Sequence, residues 1–146
     1  MNTGRRYGSG SALRTALEER LKRISREEMI DLQRLRRQVA FDRFLARLFR
    51  LPGSDRVLKG GYAMELRFET ARTTKALDFT VRTAPVGVGD TIHAFLQDVG
   101  AIDAGDCFSF RVSEATMDPD GAPYGGARYP VEAVETAHDS ARTTIC

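Results

Sequence analysis

The sequence predicts an α+β fold: a small mixed sheet with helices on one side and an N-terminal helical arm. Two features of the pattern predict it. Ahead of Pro52, apolar residues recur at helical spacing, first Leu13, Leu17, Leu21 and Ile24, then Leu32, Leu35, Val39, Phe41, Phe44, Leu45 and Leu48. Such spacing places them on one stripe of each helix. Beyond Lys75 the period changes to two. Leu77, Phe79 and Val81 alternate with Asp78, Thr80 and Arg82, and Phe108, Phe110 and Val112 repeat the pattern, as in strands with one buried face.

The elements follow in order. Residues 1–10 contain glycines, Ser9 and two arginines and are expected to be a flexible N-terminus. The first helix is expected from Ser11 to Ile24. Ser25, with Glu28 three residues on, reads as a capping box that opens a second helix to about Phe49. Leu51-Pro52-Gly53 ends it. Arg34, Arg36, Arg37, Arg43, Arg47 and Arg50 decorate the part of this helix outside its apolar stripe. Arg56 to Leu58 is a short strand, Gly60 to Phe68 a third helix, Thr70 to Lys75 a loop, and Leu77 to Arg82 a strand. Pro85 to Asp90 is a glycine-bearing turn. Asp90 can cap a helix over Thr91 to Val99 that Gly100 closes. Cys107 to Val112 and Arg128 to Val134 are strands joined by a Pro- and Gly-bearing hairpin loop at Met117 to Gly126. The domain is therefore 11–134, with N-terminal helices over 11–50 and a core over 55–134. Residues 135–146 fit neither helix nor strand and are expected to form an irregular tail.

Composition narrows the function classes. At 146 residues and 42% hydrophobic, the chain fits one domain with a real core. No apolar run approaches a membrane span, and no apolar signal core follows the N-terminal arginines, so a cytoplasmic protein is expected. Cys107 and Cys146 are too few for a disulfide framework, and no Cys/His cluster has zinc spacing. Cys107 reads as a buried strand residue, His93 and His138 as structural or solvated. The net charge of +2 hides an asymmetry: residues 1–82 hold 19 Lys/Arg against 10 Asp/Glu, residues 83–146 hold 3 against 10. A basic half fits a polyanionic partner, nucleic acid or nucleotide phosphate; solvated arginine-rich helices explain it equally well.

The segment from Leu58 to Arg82 carries the chemistry. Gly60 and Gly61 open a helix, so the backbone can approach a phosphate chain at a helix N-terminus that favours negative charge. Lys59 stands where an ammonium could reach a triphosphate. Arg72, Thr73, Thr74 and Lys75 supply donors just before a strand that bears Asp78. Carboxylates two residues apart on a strand share a face and can hold Mg²⁺, but the position two before Asp78 is Ala76. Glu132, on the later strand, is the alternative carboxylate; the apolar neighbours Tyr129, Val131 and Ala133 point it toward solvent.

Lys59-Gly60-Gly61, followed by Arg72-Thr73-Thr74-Lys75-x-Leu77-Asp78-Phe79, resembles the AbiEii/AbiGii-type nucleotidyltransferase toxins of type IV toxin–antitoxin and abortive-infection systems. These belong to the DNA-polymerase-beta-like superfamily. The likeness takes in Arg43 to Leu48 and Asp106 to Val112 and covers about residues 7 to 133. It implies a nucleotidyltransferase-type sheet and Mg²⁺-dependent transfer of a nucleoside monophosphate from an NTP to an acceptor such as tRNA, with a cognate antitoxin as a further partner. Asp78 would be the catalytic and metal-binding residue. Lys59, Gly60, Gly61, Arg72, Thr74 and Lys75 would bind nucleotide, and the arginines of the second helix could grip an RNA backbone. Two departures matter. The family pattern has Asp-x-Asp where this chain has Ala76-x-Asp78, and the family places further catalytic residues in a C-terminal portion not recognisable here, as in a truncated or frameshifted copy. The sequence therefore implies either an impaired nucleotidyltransferase or a non-catalytic remnant that binds nucleotide, RNA or an antitoxin.

Overall fold

The computed structural model describes residues 10–51, 56–68, 75–81, 88–116, 127–135 and 140–145. Over these the chain forms α1 (Gly10–Glu28), α2 (Leu32–Leu48), β1 (Arg56–Lys59), α3 (Gly60–Arg67), β2 (Ala76–Val81), α4 (Val88–Ala101), β3 (Phe108–Val112), β4 (Tyr129–Glu135) and β5 (Ser140–Ile145). The class is α+β, as the periodicities predict. The sheet order is β1-β2-β5-β4-β3. Only β2 and β5 are parallel; the other three pairings are antiparallel, so the sheet is mixed.

Register explains which side is covered. Leu77 of β2, Ile145 of β5 and Tyr129 of β4 share one row, and Phe110 opposes Ala133 and Val112 opposes Val131. Leu77, Tyr129, Val131, Ala133, Phe110 and Val112 are all buried, in one core with Phe41, Phe44 and Leu48 of α2, Tyr62 of α3, and Leu96 and Val99 of α4. The helices thus lie on this face. The opposite face is polar, and there Arg111 and Glu132 pair at 3.5 Å.

Several boundaries differ from the sequence expectation. The first helix runs through Ser25 to Glu28, and the break falls at Met29, a positive-φ residue (φ 55°). Ser25 is no cap: its hydroxyl donates to the Ile30 carbonyl at 2.6 Å. The cap is Asp31, whose carboxylate accepts from the Arg34 N–H at 2.8 Å. A mid-helix hydroxyl can find a carbonyl partner as readily as it can cap, so the box pattern misled. Helix α4 begins before Asp90 and passes through Gly100. That glycine is there for contact: a Cβ would lie 2.6 Å from the Phe110 carbonyl oxygen. Cys107 lies just outside β3 with φ 62°, not in the strand. The expected loop over 117–126 falls outside the described residues, though Thr116 and Arg128 bridge its ends.

The largest correction concerns the C-terminal segment. Residues 140–145, expected to be irregular, form β5, which pairs with β2 on one side and β4 on the other. Thr143, Thr144 and Ile145 are β-branched and suit a strand; their run is too short to show a period. Strand β4 is consequently interior, with β3 and β5 as neighbours, not the exposed edge that an irregular tail would leave.

Arg47 was expected on the solvated side of the second helix and is instead wholly buried. Its guanidinium has five donor hydrogens, and all are used. Nε donates to Ile102 O at 3.1 Å; Nη1 donates to Arg43 O and Asp106 Oδ2, both at 2.9 Å; Nη2 donates to Asp106 Oδ1 at 2.5 Å and Phe108 O at 2.6 Å. The guanidinium also lies over the Phe110 ring, 5.1 Å from its centroid. Burial works to raise the Asp106 carboxyl, but the Arg47 hydrogen bonds, the Phe108 N–H and the charges of Arg47 and Arg43 outweigh it and hold the group below its ordinary value.

Three outcomes are expected from this architecture. Arg47→Met removes the buried donor partner of Asp106 and of three main-chain carbonyls and should destabilise the fold by about 3–5 kcal/mol in urea titration. Because the folded-state value of Asp106 is depressed, its contribution to stability is complete above the ordinary Asp range, near about 3.9, and is lost as pH falls through the lowered value. Asp106→Asn should therefore cost stability at neutral pH and flatten the dependence of stability on pH below about 4. A chain lacking residues 140–146 leaves β4 and β2 each with an open edge, and should show a broadened melt and aggregation by light scattering.

Candidate functional site

Strand β1 delivers Lys59 to the start of α3, and the antiparallel register sets Lys59 opposite Asp78 of β2. Directly opposed residues share a face, so both stand on the side away from buried Leu77. The polar side of β2 is therefore the open one, as its alternation predicts: Leu77 is buried, Asp78 half-buried, Thr80 exposed. Ala76 lies on that same side.

Gly60 is the first residue of α3, with φ +72°. A Cβ there would lie 3.0 Å from the Asp78 Cβ and closer still to its carboxylate. Only glycine combines that φ with that approach. The glycine therefore does two things: it turns the chain sharply from β1 into α3, and it lets the carboxylate stand against the backbone at the helix entrance. Lys59 occupies the N-cap position in extended conformation without a side-chain cap hydrogen bond, so the first N–H groups of α3 carry the partial positive charge of a helix start. Gly61, in the first turn, and Lys59 are both exposed.

Helix α3 is held from behind by α2. Glu65, with 3% of its side chain exposed, accepts from Arg34 Nε at 2.9 Å and Gln38 Nε2 at 3.0 Å. Tyr62 packs edge-on to Phe41 with centroids 4.9 Å apart. Burial, then the charges of Asp42 and Glu65, push the Tyr62 hydroxyl up to about 12. Sequence reasoning missed this clamp: its partners are 24 to 31 residues apart, and nothing local links them.

The structure thus brings together Lys59, Gly60, Gly61 and Asp78. Lys75 is exposed just ahead of β2, at the strand end where the neighbouring chain passes from β1 into α3. Arg72, Thr73, Thr74 and His138 lie outside the described residues. Glu132 shares the polar face, but its row (Arg111, Glu132, Arg142) is offset four residues from Asp78 across the β2–β5–β4 register. That is about 13 Å along the strands and about 10 Å across them, too far for one ion. His93 is structural, stacked on Tyr129 with Nε2 3.2 Å from Val112 O.

The arginines expected to grip RNA are largely engaged within the fold. Arg34 pairs with Glu65, Arg36 with Glu18, Arg43 with Asp42 and Asp106, and Arg47 with Asp106.

The model for the nucleotidyl transferase AbiEii toxin family, of type IV toxin–antitoxin systems, matches residues 43–145. The chain belongs to the AbiEii toxin family. The match starts inside α2 and runs through β5, taking in the segment that the motif resemblance left out. No curated protein matches the chain. Nucleotidyltransferases of this kind ordinarily work with divalent metal, and the AbiEii site can be tested for it. A two-metal centre needs several carboxylates around ions about 3.5–4 Å apart. Here Asp78 shares its face with Ala76, which offers no oxygen, stands opposite the cationic residue Lys59 in the register and lies against the start of α3, whose partial positive charge disfavours cations. Among the described residues no three His, Cys, Asp or Glu side chains converge. The donor set of the described residues does not fit a two-metal centre.

Gly60→Ala should be costly for two separate reasons, the positive φ and the collision with Asp78. A loss of about 1–3 kcal/mol is expected in equilibrium denaturation, whereas Gly105→Ala, with the same sign of φ (+70°) but no neighbour within 4 Å, should cost less.

Proposed function

We propose that this AbiEii family member binds nucleoside triphosphate but transfers nucleotide to RNA poorly or not at all. One observation carries the reading: the position that should complete the carboxylate pair on the open face of β2 is Ala76. Asp78 is the remaining metal-directed and catalytic candidate. Lys59, Gly60 and Gly61 contact the triphosphate, with Arg72, Thr74 and Lys75 as further nucleotide contacts. Any Mg²⁺ is held singly, by Asp78 and the phosphates. Family membership implies NTP use and a cognate antitoxin; tRNA as the acceptor and the cytoplasm as the compartment belong to this proposal. No helix among the described residues is long and apolar enough to cross a membrane. The alternative of an RNA-gripping remnant is weaker, because α2 spends most of its arginines on internal carboxylates.

Incubation with radiolabelled NTPs and total tRNA should leave the RNA unlabelled; robust labelling would defeat the reading. Ala76→Asp places a second carboxylate on the face of Asp78 and should raise Mn²⁺ affinity, read by electron paramagnetic resonance, by about tenfold. It should not restore full transfer, since Glu132 stays too far away to serve as a third ligand.

A further inference from the structure

We infer that the nucleotide bound at this site is the metal-free polyanion and not its Mg²⁺ complex. The inference rests on the nucleotide-binding reading above and goes beyond it in naming the ionic form of the ligand.

The argument is a comparison of local charge. A nucleotidyl-transfer site built on several carboxylates is strongly negative when empty. It must gather divalent cations before a triphosphate can approach, and Mg²⁺ bridges the two anions. In this chain the balance differs. Asp78 is the one carboxylate on the open face of β2. Directly opposite in the register stands exposed Lys59, and against the Asp78 carboxylate begins α3, whose N-cap residue makes no side-chain cap hydrogen bond. One lysine and a helix start worth about half a positive charge flank a single carboxylate among the described residues. Among the described residues the site has no excess negative charge with which to concentrate a dication, and they offer a triphosphate two attractive groups and one repulsive one. Mg²⁺ on the nucleotide would cancel part of the charge that Lys59 and α3 attract, while gaining one carboxylate ligand.

This predicts a reversal at Asp78. In a metal-bridged site, removing the carboxylate abolishes nucleotide binding; here it removes a like charge. Asparagine is nearly isosteric with aspartate, so Asp78→Asn is a mild change in shape.

Isothermal titration calorimetry of the full chain with ATP, in EDTA and then in millimolar Mg²⁺, tests the inference. Binding in EDTA at least as tight as in Mg²⁺ is expected. Asp78→Asn should tighten it by about two- to fivefold and Lys59→Ala weaken it by a similar factor, as for one exposed charge pair, with both effects shrinking in high salt. ATP binding that requires Mg²⁺ and disappears in Asp78→Asn would overturn the inference while leaving the nucleotide-binding reading intact. Absence of ATP, GTP, CTP and UTP binding in both buffers, in a chain that melts cooperatively, would overturn both. The wild-type comparison in the two buffers decides the matter even if a variant fails to fold.

Discussion

The fold depends on one buried ion pair. Arg47 is sealed from solvent, and a sealed guanidinium is tolerable only when every donor has a partner. Asp106 supplies two acceptors and the main chain the other three. A lysine could not substitute, because a single ammonium cannot reach acceptors spread over α2, the end of α4 and the start of β3. Three parts of the chain with no local reason to meet are held in fixed relation by one planar group. Replacing such a pair wholesale by apolar residues often costs little, whereas removing one partner costs much. The pair acts as a geometric constraint, determining where β3 enters the sheet relative to α2.

From α2 the constraint passes to the site. Glu65 and Tyr62 bind α3 to the same helix that carries Arg47, and α3 in turn presents Gly60 to Asp78. Position at the site is therefore inherited through two helices. The chemistry there is set by what sits within a few ångströms of Asp78: a glycine with no Cβ, an opposing lysine and an alanine on the shared face. A positive-φ glycine turn into a helix is present there, while among the described residues the carboxylates that a two-metal centre needs are incomplete.

The parts of this arrangement legible in sequence are the local ones. Period-two alternation identified the open face of β2, because Leu77, Phe79 and Asp78, Thr80 encode the two sides directly. The glycine pair marked the helix entrance, because positive φ has few other sources. Long-range partnerships left no such trace. Nothing near Arg47 distinguishes it from Arg43 or Arg50; its burial follows from an aspartate 59 residues away. Strand β5 was missed for a related reason. A strand buried between two others is stabilised by its neighbours, and six residues with little hydrophobic alternation carry scant local signal. The false cap at Ser25 shows the converse, a good local motif overruled by a better cap at Asp31.

The position of β5 has a consequence for how the molecule is made. Among the described strands it comes latest in chain order and stands central in space, so β1-β2 and β3-β4 share no ladder until it arrives. During synthesis the first two strands and the following hairpin can each form early, from contacts close in sequence, but they remain separate pieces. Joining them requires β2 to find a parallel partner 68 residues downstream, as Ala76 does in Thr144. Such closure is slow relative to local steps, and until it happens two unfilled strand edges are available to any other chain nearby. For this protein the hazardous interval lies between the emergence of β4 and the insertion of β5.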